Sequence, residues 1–116
     1  MSAYAVAHLK NGSRHEDVLS YMERIQETMD PFGGRFLVHG TTVEVREGTW
    51  PGHLVMIEFP DLERARAWYD SPAYQELVPL RTRHIDADIV LAAGVPEGYE
   101  AAHTAAAARR EAEAAA

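Results

Sequence analysis

The apolar residues of this chain switch period repeatedly, and the order of the switches leaves few folds open. Residues 3–10, Ala-Tyr-Ala-Val-Ala-His-Leu-Lys, read as a short strand that stops at Asn11-Gly12. Ser13 with Glu16 three positions on makes a capping box, and Val18, Met22, Ile25 and Met29 follow as a helical stripe. Asp30-Pro31 ends that helix, because the residue before proline is pushed out of the α region. After the Gly33-Gly34 turn, Arg35–His39 reads as a strand. Gly40-Thr41-Thr42 then bends the chain into a further strand-like run, Val43–Glu47. The Gly48–Gly52 loop, rich in turn residues, returns the chain as the strand His53–Phe59. Pro60-Asp61 opens a helix with Leu62, Ala65, Trp68 and Tyr69 on its buried side. Ser71-Pro72 restarts it, serine as cap and proline in the first turn, through Tyr74, Leu77 and Val78 to about His84. A last strand covers Asp86–Ala93. The order is β-α-β-β-α-β, an α+β ferredoxin-like fold with a four-stranded antiparallel sheet.

A chain of 116 residues is long enough for one such domain, placed here at residues 1–95. Residues 96–116 are mostly alanine, with no large side chain to dock them, and are expected to form a frayed or partly helical tail. The net charge of −7 opposes binding to nucleic acid, whose phosphates would be repelled. With no cysteine, the chain has no disulfide, zinc ribbon, iron–sulfur cluster or thiol nucleophile. No apolar run reaches the roughly 20 residues needed to cross a membrane, and the N-terminus lacks a basic-then-apolar leader, so a cytoplasmic location is expected.

Two helices cover only one face of the sheet, and a body this small has little core to spare, so the other face needs a partner. Sheet-on-sheet pairing in a homodimer, a homodimeric α/β barrel, is the expected solution. Alternation assigns the faces. Phe36, Val38, Val55, Ile57, Phe59, Ile89 and Leu91 are expected under the helices, with the alanines of the first strand. The uncovered face then collects Tyr4, Val6, His8, Arg35, Leu37, His39, Leu54, Met56, Glu58, Asp88 and Val90. Ionisable groups set in apolar walls describe a small-molecule cavity better than a plain interface.

Four segments resemble the bacterial domain of unknown function 1330 family: Phe32–Gly40 (Phe-Gly-Gly-Arg-Phe-Leu-Val-His-Gly), Glu47–Trp50, Leu54–Pro60 and Ala65–Tyr74, the last with Trp-Tyr-Asp-Ser-Pro-Ala-Tyr. The resemblance spans about residues 3–95. It implies membership of the dimeric α/β-barrel superfamily, in which two ferredoxin-like protomers oppose their sheets around a ligand-sized cavity. Relatives there include cofactor-free quinone-forming monooxygenases, haem-degrading enzymes, muconolactone isomerases, polyketide cyclases and ligand-sensing domains. Arg35 matches a recurrent arginine of the family, and His39 stands where many members carry a second one.

The chemistry expected on these grounds is that of a cofactor-independent enzyme, of monooxygenase, isomerase or cyclase type, acting on a small aromatic, polyketide-like or lactone substrate. Arg35 offers a planar fork for a carboxylate or enolate, and His39 or His8 moves a proton near neutral pH. Glu58 or Asp88 orients the histidine. Trp50 sits in a Gly/Pro loop at a strand end, where binding residues often lie, and Tyr74, after the Ser71-Pro72 restart, is expected to point its hydroxyl into the mouth of the cavity. No ligand motif such as H-E-x-x-H marks a metal, and none is expected. The alternative is a non-catalytic module that binds a small apolar acid.

Overall fold

The computed structural model describes residues 1–115. Strand β1 (Ala3–Leu9) leads into α1 (Glu16–Met29) and a single 3-10 turn (Asp30–Phe32), followed by β2 (Arg35–Thr42) and β3 (His53–Phe59). Helices α2 (Leu62–Asp70) and α3 (Pro72–Thr82), strand β4 (Ala87–Ala93) and helix α4 (Ala101–Ala115) complete the chain. The strands form one antiparallel sheet in the order β2-β3-β1-β4, the ferredoxin-like arrangement. In the single chain this sheet is open and not closed into a barrel.

Local chemistry explains most boundaries. Asp61 caps α2 by accepting the Arg64 N–H at 2.8 Å. Ser71 is extended (φ −63°, ψ 141°), which separates α2 from α3, and its Oγ accepts the Tyr74 N–H at 3.3 Å. The start of α1 departs from the sequence expectation. The helix begins at Glu16, and His15 caps it, its Nδ1 accepting the Asp17 N–H at 3.0 Å. Ser13 instead accepts the His15 N–H at 3.1 Å, one step upstream of the cap it was expected to form. Residues 43–47, read as a strand, lie in the loop between β2 and β3.

The helices pack on the sheet through Met29, Phe59, Trp68, Tyr74 and Leu77, all fully buried. Trp68 Nε1 donates to Thr28 Oγ1 at 3.0 Å, and that hydroxyl donates to the Ile25 carbonyl at 2.7 Å, so the core's buried indole is satisfied. Helix α4 buries no residue, as its alanine composition requires.

Strand β2 corrects the assignment of faces. Arg35 opposes Glu58 and Phe36 opposes Ile57, but the register shifts between Phe36 and Val38 and again between His39 and Thr41. Val38 therefore opposes Met56, and His39 opposes Val55. Each bulge inserts a residue and reverses the alternation, so His39 joins Phe36 on the helix side while Val38 turns to the uncovered side.

Candidate active site

On the uncovered face, the candidate residues are already occupied with one another. Arg35 grips Glu58, its register partner, through Nη2 and Nε at 2.7 and 2.9 Å from Oε1. Asp88 pairs with Lys10 at 3.1 Å. His8 Nε2 lies 2.6 Å from the Pro51 carbonyl, which can only accept, so that nitrogen carries the proton. The His8 ring also stacks on Trp50, centroids 3.9 Å apart and planes at 23°. Around these pairs lie Val6, Val38, Leu54, Met56 and Val90, an apolar surface with its charges matched.

The cavity lies on the other side of the sheet. A space of about 370 Å³ opens between the strands and helices α1 and α3. Its floor is Ala5, Ala7, Leu9, Phe36, Val55, Ile57 and Ile89, and its roof includes Val18, Met22, Ile25 and Trp68. Asn11 to Arg14, in the β1–α1 loop, form part of its wall. Such a chamber, apolar with a few polar groups, is what a small-molecule site looks like.

Its polar groups come in two layers. From the roof, Tyr21 and Tyr74 meet hydroxyl to hydroxyl at 2.7 Å. The Arg81 guanidinium carbon stands 5.7 Å from the Tyr21 ring centroid, and Arg81 is only 6% exposed. No carboxylate among the described residues pairs with it, and its Nε is buried without a partner. Burial works against the charged guanidinium, but the two phenol oxygens outweigh it and hold the Arg81 pKa above its ordinary value. Tyr21 is pushed far up, first by burial and then by Tyr74, so its phenol stays protonated. Arginine only donates, and of the two phenol protons only one can lie between the two oxygens. This end of the cavity therefore presents donors and positive charge.

From the floor come two imidazoles. His39 stacks on Phe36, centroids 4.3 Å apart and planes at 17°, and desolvation pushes its pKa below the usual 6.5. His53, two residues before Val55 on β3, shares the same face, and its Nδ1 is buried without a partner. Of the residues expected in the site, His39 and Tyr74 line this cavity; His8, Arg35, Glu58 and Asp88 face away from it, with Trp50 stacked on His8. Tyr74 is a buried roof residue, not one at the mouth of a sheet-to-sheet cavity.

Arg81, Tyr21 and His53 escaped the sequence reading, though a signal existed for two of them. Arg81 continues the Tyr74, Leu77 stripe of α3 at helical spacing, and a charge on a buried stripe is unusual. His53 opens the inward row His53, Val55, Ile57, Phe59.

One set of closely spaced ligand atoms occurs among the described residues: His15, Asp17 and His84, within 4.8 Å of one another. They already serve as a clasp between the start of α1 and the end of α3. His84 Nε2 lies 2.9 Å from Asp17 Oδ2, and the two imidazoles stack at 3.8 Å.

Residues 2–95 match the DUF1330 family, described as a domain of unknown function. The chain belongs to that family. No curated protein is significantly similar to this DUF1330 chain. Among solved structures, it is similar to SnoaB of Streptomyces nogalater, described as a cofactor-independent oxygenase. The two share 13% identity over 85% of this chain and 98% of that one, with a TM-score of 0.57. A dimeric ferredoxin-like protein of unknown function from Thermobifida fusca YX is 13% identical over 81% and 92%, TM-score 0.57. Another, from Jannaschia sp. CCS1, is 14% identical over 78% and 97%, TM-score 0.51. These likenesses establish the ferredoxin-like fold of the DUF1330 chain, and among the described residues no helix is long and apolar enough to cross a membrane.

Proposed function

We propose that this protein is a cofactor-independent enzyme that takes a proton from an enolisable aromatic, polyketide-like or lactone substrate in the cavity between its helices and its sheet. The observation that carries the reading is Arg81: a buried cation with no carboxylate partner among the described residues, on the wall of an apolar chamber. A buried charge is tolerated when an anion meets it, and a developing enolate or phenolate oxygen is that anion. The spare phenol proton of the Tyr21–Tyr74 pair adds a second donor toward the same oxygen.

His39 is the base. Its lowered pKa keeps the imidazole neutral at physiological pH, ready to accept a proton from the carbon or hydroxyl acid. The electron pair left behind moves onto the substrate oxygen facing Arg81. Returning the proton at another carbon isomerises the substrate; attack of the enolate carbon on a carbonyl closes a ring; reaction with O₂ oxygenates it. The three reaction types share this first step. The fold shared with SnoaB, an oxygenase described as cofactor-independent, supports the reading.

The uncovered face is assigned to a second copy of the chain, in keeping with the dimeric ferredoxin-like neighbours. Its charges pair within the protomer, and Leu37 and Val90 are 43% and 56% exposed.

Deuterium exchange at the activated carbon of 2-tetralone in D₂O tests the proton step without knowledge of the later chemistry. The enzyme should accelerate exchange by at least about a hundredfold over buffer, and His39→Gln and Arg81→Met should each abolish the acceleration. Saturable binding of 2-tetralone without exchange would favour a non-catalytic binding module instead.

A further inference from the structure

We infer that the ligand carries a second oxygen function, apart from its acidic one, and that His53 reads it. The inference rests on the reading of the cavity given above, in which Arg81 receives the acidic oxygen. Arg81 and the two phenols descend from the helix layer, whereas His53 rises from the sheet at the start of β3. The two recognition points therefore belong to opposite walls of one chamber.

His53 stands between Leu9 across the β1–β3 ladder and Thr42 across the β2–β3 ladder, and Val55 and Ile57 continue its row beneath the cavity. Its Nε2 edge stands against Gly12, 3.9 Å from where a Cβ would be, while Nδ1 is buried with no hydrogen-bond partner among the described residues. A neutral imidazole offers one donor and one acceptor, and a protein-buried nitrogen without a partner is rare enough to need a cause. Rotation about Cβ–Cγ, which is broad for histidine, turns that nitrogen between the wall and the cavity. A hydroxyl or carbonyl on the far part of the ligand supplies what the protein does not. An apolar wall gains nothing from placing a histidine there; a site that selects a hydroxylated ring over a bare one does.

The ligand class is thus a compact ring system with an acidic oxygen at one point and a hydroxyl or carbonyl at another. Calorimetric titration of the full chain with 2-naphthoate and with its 5-, 6- and 7-hydroxy isomers tests this. At least one hydroxynaphthoate should bind about tenfold tighter than 2-naphthoate. His53→Leu should bring the ratio of hydroxynaphthoate to 2-naphthoate affinity down to about one, and His53→Asn, which keeps a polar nitrogen near the Nδ1 position, should retain part of the preference. Melting curves establish that each variant is folded, and the asparagine variant serves if the leucine one is not. If no isomer is preferred, or the preference survives His53→Leu, the inference is overturned although 2-naphthoate still binds through Arg81. If 2-naphthoate fails to bind, or binds Arg81→Met equally well, the anion reading of the cavity falls, and this inference with it.

Discussion

The Arg81 guanidinium lies over the Tyr21 ring at 5.7 Å, buried and paired with no carboxylate among the described residues, so its charge is answered by phenol oxygens. Arg81→Met keeps the bulk and removes the charge. Because no carboxylate among the described residues is left unpaired, and the two phenols still bond each other, thermal stability should hold or rise. Binding of 2-naphthoate should fall by about 10- to 100-fold, the loss of a charge-assisted contact. Arg81→Lys should recover only part of it, since an ammonium lacks the planar fork. Calorimetry and melting curves on the two variants check this; a large fall in melting temperature for Arg81→Met would assign the arginine to the core.

His39 titrates below 6.5 because partial burial penalises the imidazolium. The proton-acceptor form therefore persists to lower pH than in a free histidine, and the acid limb of kcat/KM for exchange should inflect below 6.5. His39→Gln should remove that limb along with the activity. The sign for stability is opposite to that of a paired histidine. The folded state resists protonation, so stability is undiminished above 6.5 and falls as pH drops from there through the folded pKa.

The order of strands and helices and the Ser71 cap are legible because each rests on local spacing or a single cap. The site is less so. Alternation places Phe36 and His39 on opposite faces of an ideal strand, and only the bulge between Phe36 and Val38 puts them on one. Nothing in Arg35–Thr42 announces that extra residue. Arg35 and Glu58 show the converse: the sequence brought them together correctly, but a cross-strand ion pair and a ligand clamp use the same residue types. A long cationic side chain on a helix ordinarily reaches solvent, so residue type alone does not announce the buried position of Arg81.

Asp17 is held below its ordinary carboxyl range, chiefly by the hydrogen bond from His84, with the charges of His15, His84 and Arg83 adding to it. A depressed carboxyl pKa contributes stability that is complete above the unfolded value of 3.8 and is lost as pH falls through the folded one. Asp17→Asn should therefore melt below the parent protein at pH 5–6, with the gap closing below about pH 4. Melting temperatures of both proteins from pH 2 to 6 give the comparison; a gap constant across that range would deny the clasp an ionic role.

Val90 pairs with Val6 in the sheet and projects on the uncovered face. Light scattering at micromolar concentration should report twice the chain's mass. Val90→Glu places a charge where a second sheet would lie, at a position already exposed in the single chain. It should yield a folded monomer with its melting temperature reduced only by the lost association. An unchanged dimer would move the interface elsewhere.

The last prediction separates backbone strain from steric conflict. Gly48 and Gly52 both adopt positive φ, 77° and 87°, in the loop leading to β3. A side chain at Gly48 would meet nothing within 4 Å, so Gly48→Ala should lose only the left-handed penalty, about 1–2 kcal/mol. At Gly52 an added Cβ would run into the Leu9 carbonyl and the Lys10 backbone, which close the end of β1 against β3. Backbone cannot swing aside as a flexible side chain does, so Gly52→Ala should destabilise by at least about 2 kcal/mol more than Gly48→Ala. For a domain of this size that corresponds to a further drop of roughly 8 °C or more. Because His53 follows Gly52 directly, the surviving folded protein should also lose its discrimination between 2-naphthoate and the hydroxynaphthoates, while Gly48→Ala keeps it. Equal melting temperatures for the two variants would show that the β1–β3 end can relax and that His53 is not held by it.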